Sequence, residues 1–139
     1  MRNEAFDNAV SRILAQDARY PREAYDLLPA ALDYTVRALR AERQEGRAQE
    51  DEEPGPQQHV SARQLAEGFR DHLLAEYGPF AKGLLDDLNI RTTDDIGAIV
   101  YNLIAVGAFG KTEKDRREDF HDLYDFDEAF AEPFRCQYD

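Results

Sequence analysis

Apolar residues recur at helical spacing along most of this chain, and the clearest run lies between residues 92 and 112. Its stripe predicts an amphipathic helix whose buried face lies at the centre of the fold. Thr92 and Asp95 have the spacing of a capping box at the start of this helix. Gly107 suits a left-handed C-cap at its end, because glycine has no Cβ to clash there. The stripe consists of Ile96, Ile99, Val100, Leu103 and Ile104.

The first 42 residues predict two further helices. One apolar stripe runs through residues 4–17, and a second begins after Pro21, because the residue before a proline is biased out of the helical conformation. Pro29 lies inside the second stripe and predicts a kink or a short break. The short connection predicts that residues 4–42 form an antiparallel helical hairpin. The buried positions expected on the second helix are Ala24, Leu27, Leu28, Ala31, Leu32, Thr35 and Leu39.

A three-helix unit is predicted over residues 60–107. Ser61 and Gln64 have the spacing of a second capping box, and apolar residues follow at four-residue intervals. Gly78, which precedes a proline, separates that helix from a short one. Asn89 suits a left-handed cap before the central helix. Helix, turn, short helix, turn and helix is the order of a helix-turn-helix core.

Two segments predict something other than packed helix. Residues 43–58 contain no large apolar side chain and carry four consecutive acids, Glu50–Glu53, so they predict a solvated linker or loop. Residues 108–126 leave two alternatives open, a two-stranded β wing or an irregular segment. Residues 108–139 as a whole then form a wing or an aromatic and acidic tail that packs on the helices. The predicted fold is mainly α, a single domain of residues 1–139, and it is winged-helix-like where the wing forms.

The chain is strongly acidic, because 29 Asp and Glu residues outnumber 17 Lys and Arg residues and give a formal net charge of -12. Such a charge repels nucleic acid and anionic membranes. It also suits a salty cytoplasm, since screening shortens the reach of charge repulsion to about 3 Å at 1 M salt. An ordinary acidic protein from a GC-rich genome is the alternative explanation.

Other compositional features predict a cytoplasmic protein with no membrane partner. No apolar run approaches the ~18 residues that span a bilayer. The N-terminus lacks the uninterrupted hydrophobic segment of a signal peptide. Cys136 is the only cysteine, so an internal disulfide is excluded.

Aromatic residues are concentrated in the acidic segment beyond Glu118. So many rings in a hydrophilic segment must lie against something. In the first interpretation they pack back on the helices, and in the second they form a strip that contacts a partner protein. The candidate partner contacts are Phe120, Tyr124, Phe126, Phe130 and Phe134.

Motifs for catalysis and cofactors are weak. Ala105–Thr112 matches a loose form of the phosphate-binding loop, but it begins inside a capped helix rather than after a buried strand. Glu118 and His121 form one Glu-x-x-His pair, whereas a carboxylate-bridged metal pair needs two. The acids around Asp125 lack the spacing and the glycine of a calcium loop. The sequence therefore predicts no cofactor, no metal and no catalytic residue, with a nucleotide-binding enzyme as a remote alternative.

The helix order makes nucleic-acid binding the main alternative to protein binding. A recognition helix needs basic or amide side chains that reach bases and phosphates. In that role the central helix is expected to expose Asp94, Asp95, Ala98, Asn102 and Ala105, none of them basic. The candidate phosphate contacts beside the predicted wing are Lys111, Lys114, Arg116 and Arg117.

Three groups of residues carry a family resemblance. The first is Asp17-Ala18-Arg19-Tyr20 with Glu23-Ala24-Tyr25, and the second is His59-Val60-Ser61 with Glu67-Gly68-Phe69-Arg70 and Tyr77-Gly78-Pro79-Phe80-Ala81. The third comprises Thr93-Asp94-Asp95-Ile96-Gly97, Val100-Tyr101-Asn102-Leu103, Lys111-Thr112, Glu118-Asp119-Phe120 and Tyr124-Asp125-Phe126. With these groups the chain resembles a short bacterial family found mainly in planctomycete and verrucomicrobial genomes. That family has no assigned activity, cofactor or partner, so the resemblance implies a complete, stand-alone protein and no site residues.

The predicted function is a small helical protein that acts through protein contacts, as a regulatory or adaptor module without catalysis. A winged-helix-like nucleic-acid-binding protein is the alternative. The sequence identifies neither the partner nor the oligomeric state.

Overall fold

The structure, a computed structural model, describes residues 4–46, 60–110 and 116–134. These parts are mainly helical and contain no strand, which confirms the prediction of a mainly α fold. The helices are α1 (Glu4–Gln16), α2 (Arg22–Gly46), α3 (Ala62–Tyr77), α4 (Ala81–Asp87) and α5 (Thr93–Ala105). Short helical turns lie at Gly78–Phe80, Arg117–Phe120, Asp127–Ala131 and Glu132–Phe134.

Helix α5 lies at the centre of the fold, as its apolar stripe predicts. Five consecutive residues, Ile96–Val100, are buried, so the helix is covered over most of its circumference. The predicted capping box forms at its start, where the carboxylate of Asp95 accepts a hydrogen bond from the backbone N–H of Thr92 at 3.1 Å. This bond satisfies a donor that the helix itself leaves unpaired.

Both predicted left-handed caps are confirmed. Gly107 has a φ of 81° at the end of α5, and the N–H of Ala108 donates to the carbonyl of Leu103 at 2.9 Å, as in a Schellman motif. Asn89 has a φ of 66° after α4. Local sequence signals therefore determine where these two helices end.

Helices α2 and α3 form the most extensive interface between two helices in the described parts. Gly68 of α3 approaches Thr35 of α2 so closely that a Cβ on Gly68 would lie 2.8 Å from the Cβ of Thr35. The buried hydroxyl of Thr35 donates to the carbonyl of Ala31 at 2.7 Å. Helix α1 packs against both α2 and α5. The hairpin expected over residues 4–42 is thus part of a bundle in which α3 is the main partner of α2.

Helix α2 is longer and more regular than the sequence predicts. It continues through Pro29 without a break and ends at Gly46, four residues into the predicted linker of residues 43–58. The extension follows from composition, since Ala41–Glu45 are good helix formers and glycine then ends the run. The remainder of the predicted linker, residues 47–58, lies outside the described residues.

The predicted β wing is not supported. In the described part of residues 108–126 the chain forms the helical turn Arg117–Phe120 and no strand. Backbone N–H groups in this segment donate to groups outside any sheet. The N–H of Leu123, for example, donates to Oγ1 of the buried Thr93 at 3.1 Å. Residues 111–115 lie outside the described residues. The segment therefore docks on the first turn of α5 instead of forming a sheet.

Candidate functional site

A groove of about 970 Å³ opens to solvent between α2, the start of α3, the end of α5 and the turn at Arg117–Phe120. It is the candidate site because its floor is apolar and its rim is charged. Ligand pockets in proteins commonly measure ~300–1,000 Å³, so the volume of this groove lies near the upper end of that range. The floor includes Leu32, Val36, Leu65, Val100, Ile104 and Phe120.

Helix α2 forms one wall of the groove because it has apolar residues on two adjoining faces. The first face, which runs from Ala24 to Thr35, is buried in the helix bundle. Leu32 and Val36 each follow a buried position by one residue, which places them on the neighbouring face. Both are half-buried and line the groove. The groove therefore uses the part of the apolar stripe that the bundle leaves uncovered.

A close contact between α5 and the C-terminal segment holds the opposite wall. A Cβ on Gly97 would lie 2.9 Å from the Cβ of Phe120, so only glycine permits this approach without displacing the ring. Phe120 is buried on the helix side and lines the groove on the other. The shape of the groove thus depends on the docking of this segment on α5.

The rim of the groove is more positive than the rest of the chain. Three arginines and two aspartates line it, which gives a formal charge of +1 in a chain of net charge -12. Asp33 pairs with Arg37 at 3.2 Å, and the carboxylate of Asp119 accepts from the backbone N–H of Arg116 at 3.3 Å. Among the described residues, the guanidinium groups of Arg40 and Arg116 have no ion-pair partner. The rim therefore offers positive groups to an incoming carboxylate.

The five aromatic residues considered as partner contacts do not form one exposed strip. Phe120, Phe126 and Phe130 are buried, and the rings of Phe126 and Phe130 meet edge to face with centroids 5.1 Å apart. Tyr124 is half-buried, and its hydroxyl donates to a backbone carbonyl of α3 at 2.7 Å. Phe134 is 44% exposed. Four of the five rings thus pack on the helices, and Phe134 alone keeps a largely accessible face.

The residues considered as nucleic-acid contacts do not form one surface within the described parts of the chain. Arg116 and Arg117 are exposed, whereas Lys111 and Lys114 lie outside the described residues. Ala98 was expected on an exposed face of the central helix, and this expectation is wrong, because Ala98 is only 2% exposed. A helix that is covered on so many sides has little surface left to enter a nucleic-acid groove.

The Ala105–Thr112 motif coincides with the end of α5. The N–H of Ala108 donates to the carbonyl of Leu103, so that amide closes its own helix and does not point to a ligand. Lys111 and Thr112 lie outside the described residues. Within the described parts, no group of three or more side chains is arranged to hold a metal ion.

A second group of polar side chains surrounds the connection between α1 and α2. Asp17 accepts hydrogen bonds from Nε and Nη2 of Arg19, at 3.1 and 2.9 Å. Asn102 of α5 donates to Asp17 at 3.2 Å and to the hydroxyl of Tyr25 at 3.1 Å. Every buried side-chain polar atom in the described parts has a partner. The group ties the connection to α5 and leaves no unpaired buried atom for a ligand.

The pKa shifts in this group disfavour acid–base catalysis near neutral pH. The hydrogen bond from Arg19 holds the pKa of Asp17 well below its usual range. Burial raises the pKa of Tyr25, and burial together with the hydrogen bond to Asp95 raises the pKa of Tyr20. An efficient general acid or base has a pKa near the operating pH, and these groups have shifted away from it. Their hydrogen bonds join the α1–α2 connection to α5.

A smaller apolar feature lies at the turn between α3 and α4. Phe80 is 78% exposed and Tyr77 is 40% exposed. Tyr77 is the last of the apolar residues that recur at four-residue intervals along α3, and it lies at the end of that helix, where it is not buried. Single exposed rings are normal on protein surfaces and do not by themselves define a site.

The sequence predicts some of the groove residues, among them Leu32, Val100 and Phe120, but not that they line one groove together with Val36, Arg37 and Arg40. In the sequence, Arg37 and Arg40 resemble ordinary solvent-exposed residues of a helix. Val36 is not among the positions expected on the buried face of the second helix. The available signal was the width of the apolar stripe on α2, where Leu32 and Val36 add a second face beside the first.

Comparison with known proteins adds no constraint on this site. No family model, curated protein or solved structure matches this chain. Within the described residues, no helix combines the length and the hydrophobicity needed to cross a bilayer.

Proposed function

We propose that this chain is a small helical protein-binding module without catalytic activity, acting in the cytoplasm. The observation that carries the proposal is the apolar groove of about 970 Å³ between α2, α3, α5 and the turn at Arg117–Phe120. Protein interfaces commonly combine an apolar centre with a polar rim, and the groove has this arrangement. The proposed binding surface is this groove, which includes Phe120 but none of the other four aromatic residues considered as partner contacts.

The composition of the groove favours a protein partner over a small molecule. The groove is open to solvent, whereas small-molecule pockets bury ~70–90% of the ligand surface. Arginine and aromatic residues are enriched in protein interfaces, and the groove combines Arg37, Arg40 and Arg116 with the rings of Tyr101 and Phe120. In this proposal, α3 and α5 position groove residues, and α5 is not a recognition helix because it is covered over most of its circumference.

Site-specific photo-crosslinking tests the proposal. A photoreactive residue replaces Val36 in the groove, and in a matched control it replaces Glu76, which is exposed at the other end of α3. After illumination in extract of the native host, we expect a discrete protein adduct from position 36 and none of that mass from position 76. Excess unlabelled protein should compete for this adduct.

A variant that places a charge in the groove provides the specificity control. Ile104 lines the groove and is only half-buried, so Ile104→Glu introduces a carboxylate at the floor without filling a sealed core position. Folded Ile104→Glu protein, checked by circular dichroism, should fail to compete for the adduct. The proposal is contradicted when position 36 gives no adduct, or when positions 36 and 76 give the same adducts.

A further inference from the structure

We infer that the groove binds an acidic amphipathic helix of a partner protein. This inference rests on the proposed function and adds the chemistry and the shape of the occupant. Three observations carry it, namely the length of the α2 wall, the apolar floor and the position of the arginines on the rim.

The wall formed by α2 matches a short helix in length. Lining residues on α2 extend from Pro29 to Arg40, which are eleven positions apart. At a rise of ~1.5 Å per residue this wall is about 16 Å long, the length of about three turns of helix. A helix that docks in a groove buries apolar side chains at positions i, i+3, i+4 and i+7, and a floor of aliphatic residues such as Leu32 and Val100 suits that pattern.

The arginines lie where they can pair with acids on both sides of a docked helix. Arg40 belongs to α2 and Arg116 to the opposite wall, whereas the third arginine, Arg37, already pairs with Asp33. A guanidinium group pairs with a carboxylate through two parallel N–H donors, which makes arginine the preferred partner for acids at interfaces. An acidic helix thus finds positive groups on each rim, although the rest of this chain is strongly negative.

Other occupants fit the groove less well. The described parts contain no strand, so an extended peptide has no sheet edge on which to add a strand. The acidic residues Glu50–Glu53 of this chain lie in a stretch without large apolar side chains, so that stretch has nothing to fill the floor. A basic helix would be attracted by the net charge of -12 but would meet the arginines at the groove itself.

Binding of labelled peptides, measured by fluorescence anisotropy, tests the inference. The probes are peptides of about 14 residues, roughly four turns of helix. The first carries leucines at helical spacing with glutamates around them, the second replaces every glutamate by lysine, and the third has the acidic composition in scrambled order. A proline-rich peptide of the same length is the fourth. We expect the acidic amphipathic peptide to bind about ten-fold more tightly than any other probe.

Charge reversal locates the binding site. We expect Arg40→Glu and Arg116→Glu each to weaken binding of the acidic peptide about five-fold or more. Arg91→Glu is the matched control, because Arg91 is exposed outside the groove and the substitution makes the same change in net charge. It should alter the affinity by less than about two-fold.

The outcomes separate this inference from the proposed function. Equal or tighter binding of the lysine, scrambled or proline-rich peptide overturns the inference, and so does an equal effect of Arg91→Glu and Arg40→Glu. When the crosslink at position 36 forms but the acidic peptide is not preferred, the protein-binding function stands and the occupant has another chemistry. When neither the crosslink nor peptide binding is observed, both proposals fail.

Discussion

The hydroxyl of Tyr20 donates a 2.6 Å hydrogen bond to Oδ1 of Asp95 and so joins the α1–α2 connection to the first turn of α5. The other oxygen of the same carboxylate accepts the backbone N–H groups of Arg91 at 2.8 Å and Thr92 at 3.1 Å. One carboxylate therefore caps the central helix and holds a residue that is 75 positions away in the sequence.

Removing this hydroxyl should destabilise the fold without disturbing the helix cap. Because a hydrogen bond to a charged group contributes about 1.5–3 kcal/mol, we expect Tyr20→Phe to lower the free energy of unfolding by about that amount. Urea denaturation measures the loss. Tyr77→Phe, at a position 40% exposed, is the matched control and should be neutral. Equal stability of Tyr20→Phe and the unsubstituted protein would show that the bond contributes nothing to folding.

Stability should fall at alkaline pH because three tyrosines resist ionisation in the folded state. Burial raises the pKa of Tyr20, Tyr25 and Tyr124 above the ordinary value of 10.0. Their contribution is fully present below pH ~10 and is lost as the pH rises toward the folded pKa, because the unfolded chain then releases more protons. Each group adds a slope of at most about 1.4 kcal/mol per pH unit.

Urea denaturation between about pH 9 and about pH 11 measures this slope. The variant Tyr124→Phe removes one titrating group, and its stability should fall less steeply with pH than that of the unsubstituted chain. Tyr77→Phe removes an exposed phenol and should leave the slope unchanged. A slope that is the same in all three proteins would argue against burial as its cause.

The contact between Gly68 and Thr35 should make the α2–α3 interface intolerant of one added methyl group. Overpacking costs about 1–3 kcal/mol. The added Cβ would lie 2.8 Å from the Cβ of Thr35, an atom that can move only with the α2 backbone. We expect Gly68→Ala to destabilise the protein by about 2 kcal/mol in thermal or urea denaturation, despite the better helix propensity of alanine. Thr35→Ala removes Oγ1 and Cγ2 and should recover part of the loss in the double variant.

Gly83 provides the comparison for this prediction. It lies in α4, and a Cβ there would have no neighbour within 4 Å. Gly83→Ala should therefore stabilise the protein by up to about 1 kcal/mol, because only the helix propensity changes. Destabilisation of the same size in both variants would show that close packing is not the cause.

The helix ends could be predicted from the sequence because their signals are local. The capping pairs Ser61–Gln64 and Thr92–Asp95 lie within three residues of each other, and both form as predicted. Asn89 and Gly107 were assigned left-handed conformations from their position after an apolar run, and both have positive φ. Such features depend on backbone geometry within one turn and need no knowledge of the rest of the fold.

The groove could not be predicted because it depends on residues that are distant in the sequence. Its walls come from α2, from the end of α5 and from Arg116 to Phe120, and no local pattern brings these together. The conformation of the C-terminal segment also depends on contacts between residues that are distant in the sequence. Its choice between a wing and helical turns depends on contacts such as Leu123 with Thr93, which are 30 positions apart.

Acidic side chains lie on the surface throughout the described parts. Thr35 and Thr93 are the only buried polar or charged residues within 4–42, 60–110 and 116–134, so the carboxylates of those stretches are at least partly exposed to solvent. With a net charge of -12 on the whole chain, these groups repel one another and oppose the compact state. Because exposed charges are screened within about 10 Å at 0.1 M salt and about 3 Å at 1 M, added salt should relieve the repulsion.

We therefore expect the melting temperature to rise steadily from about 20 mM to about 2 M potassium chloride, across the range in which screening develops. Salts and osmolytes that are excluded from the protein surface also strengthen apolar burial, so sucrose at matched water activity is the control. A smaller gain in sucrose than in potassium chloride assigns the effect to charge. Should the melting temperature be the same at both ends of the chloride range, charge repulsion does not limit stability, and the acidic surface serves solubility alone.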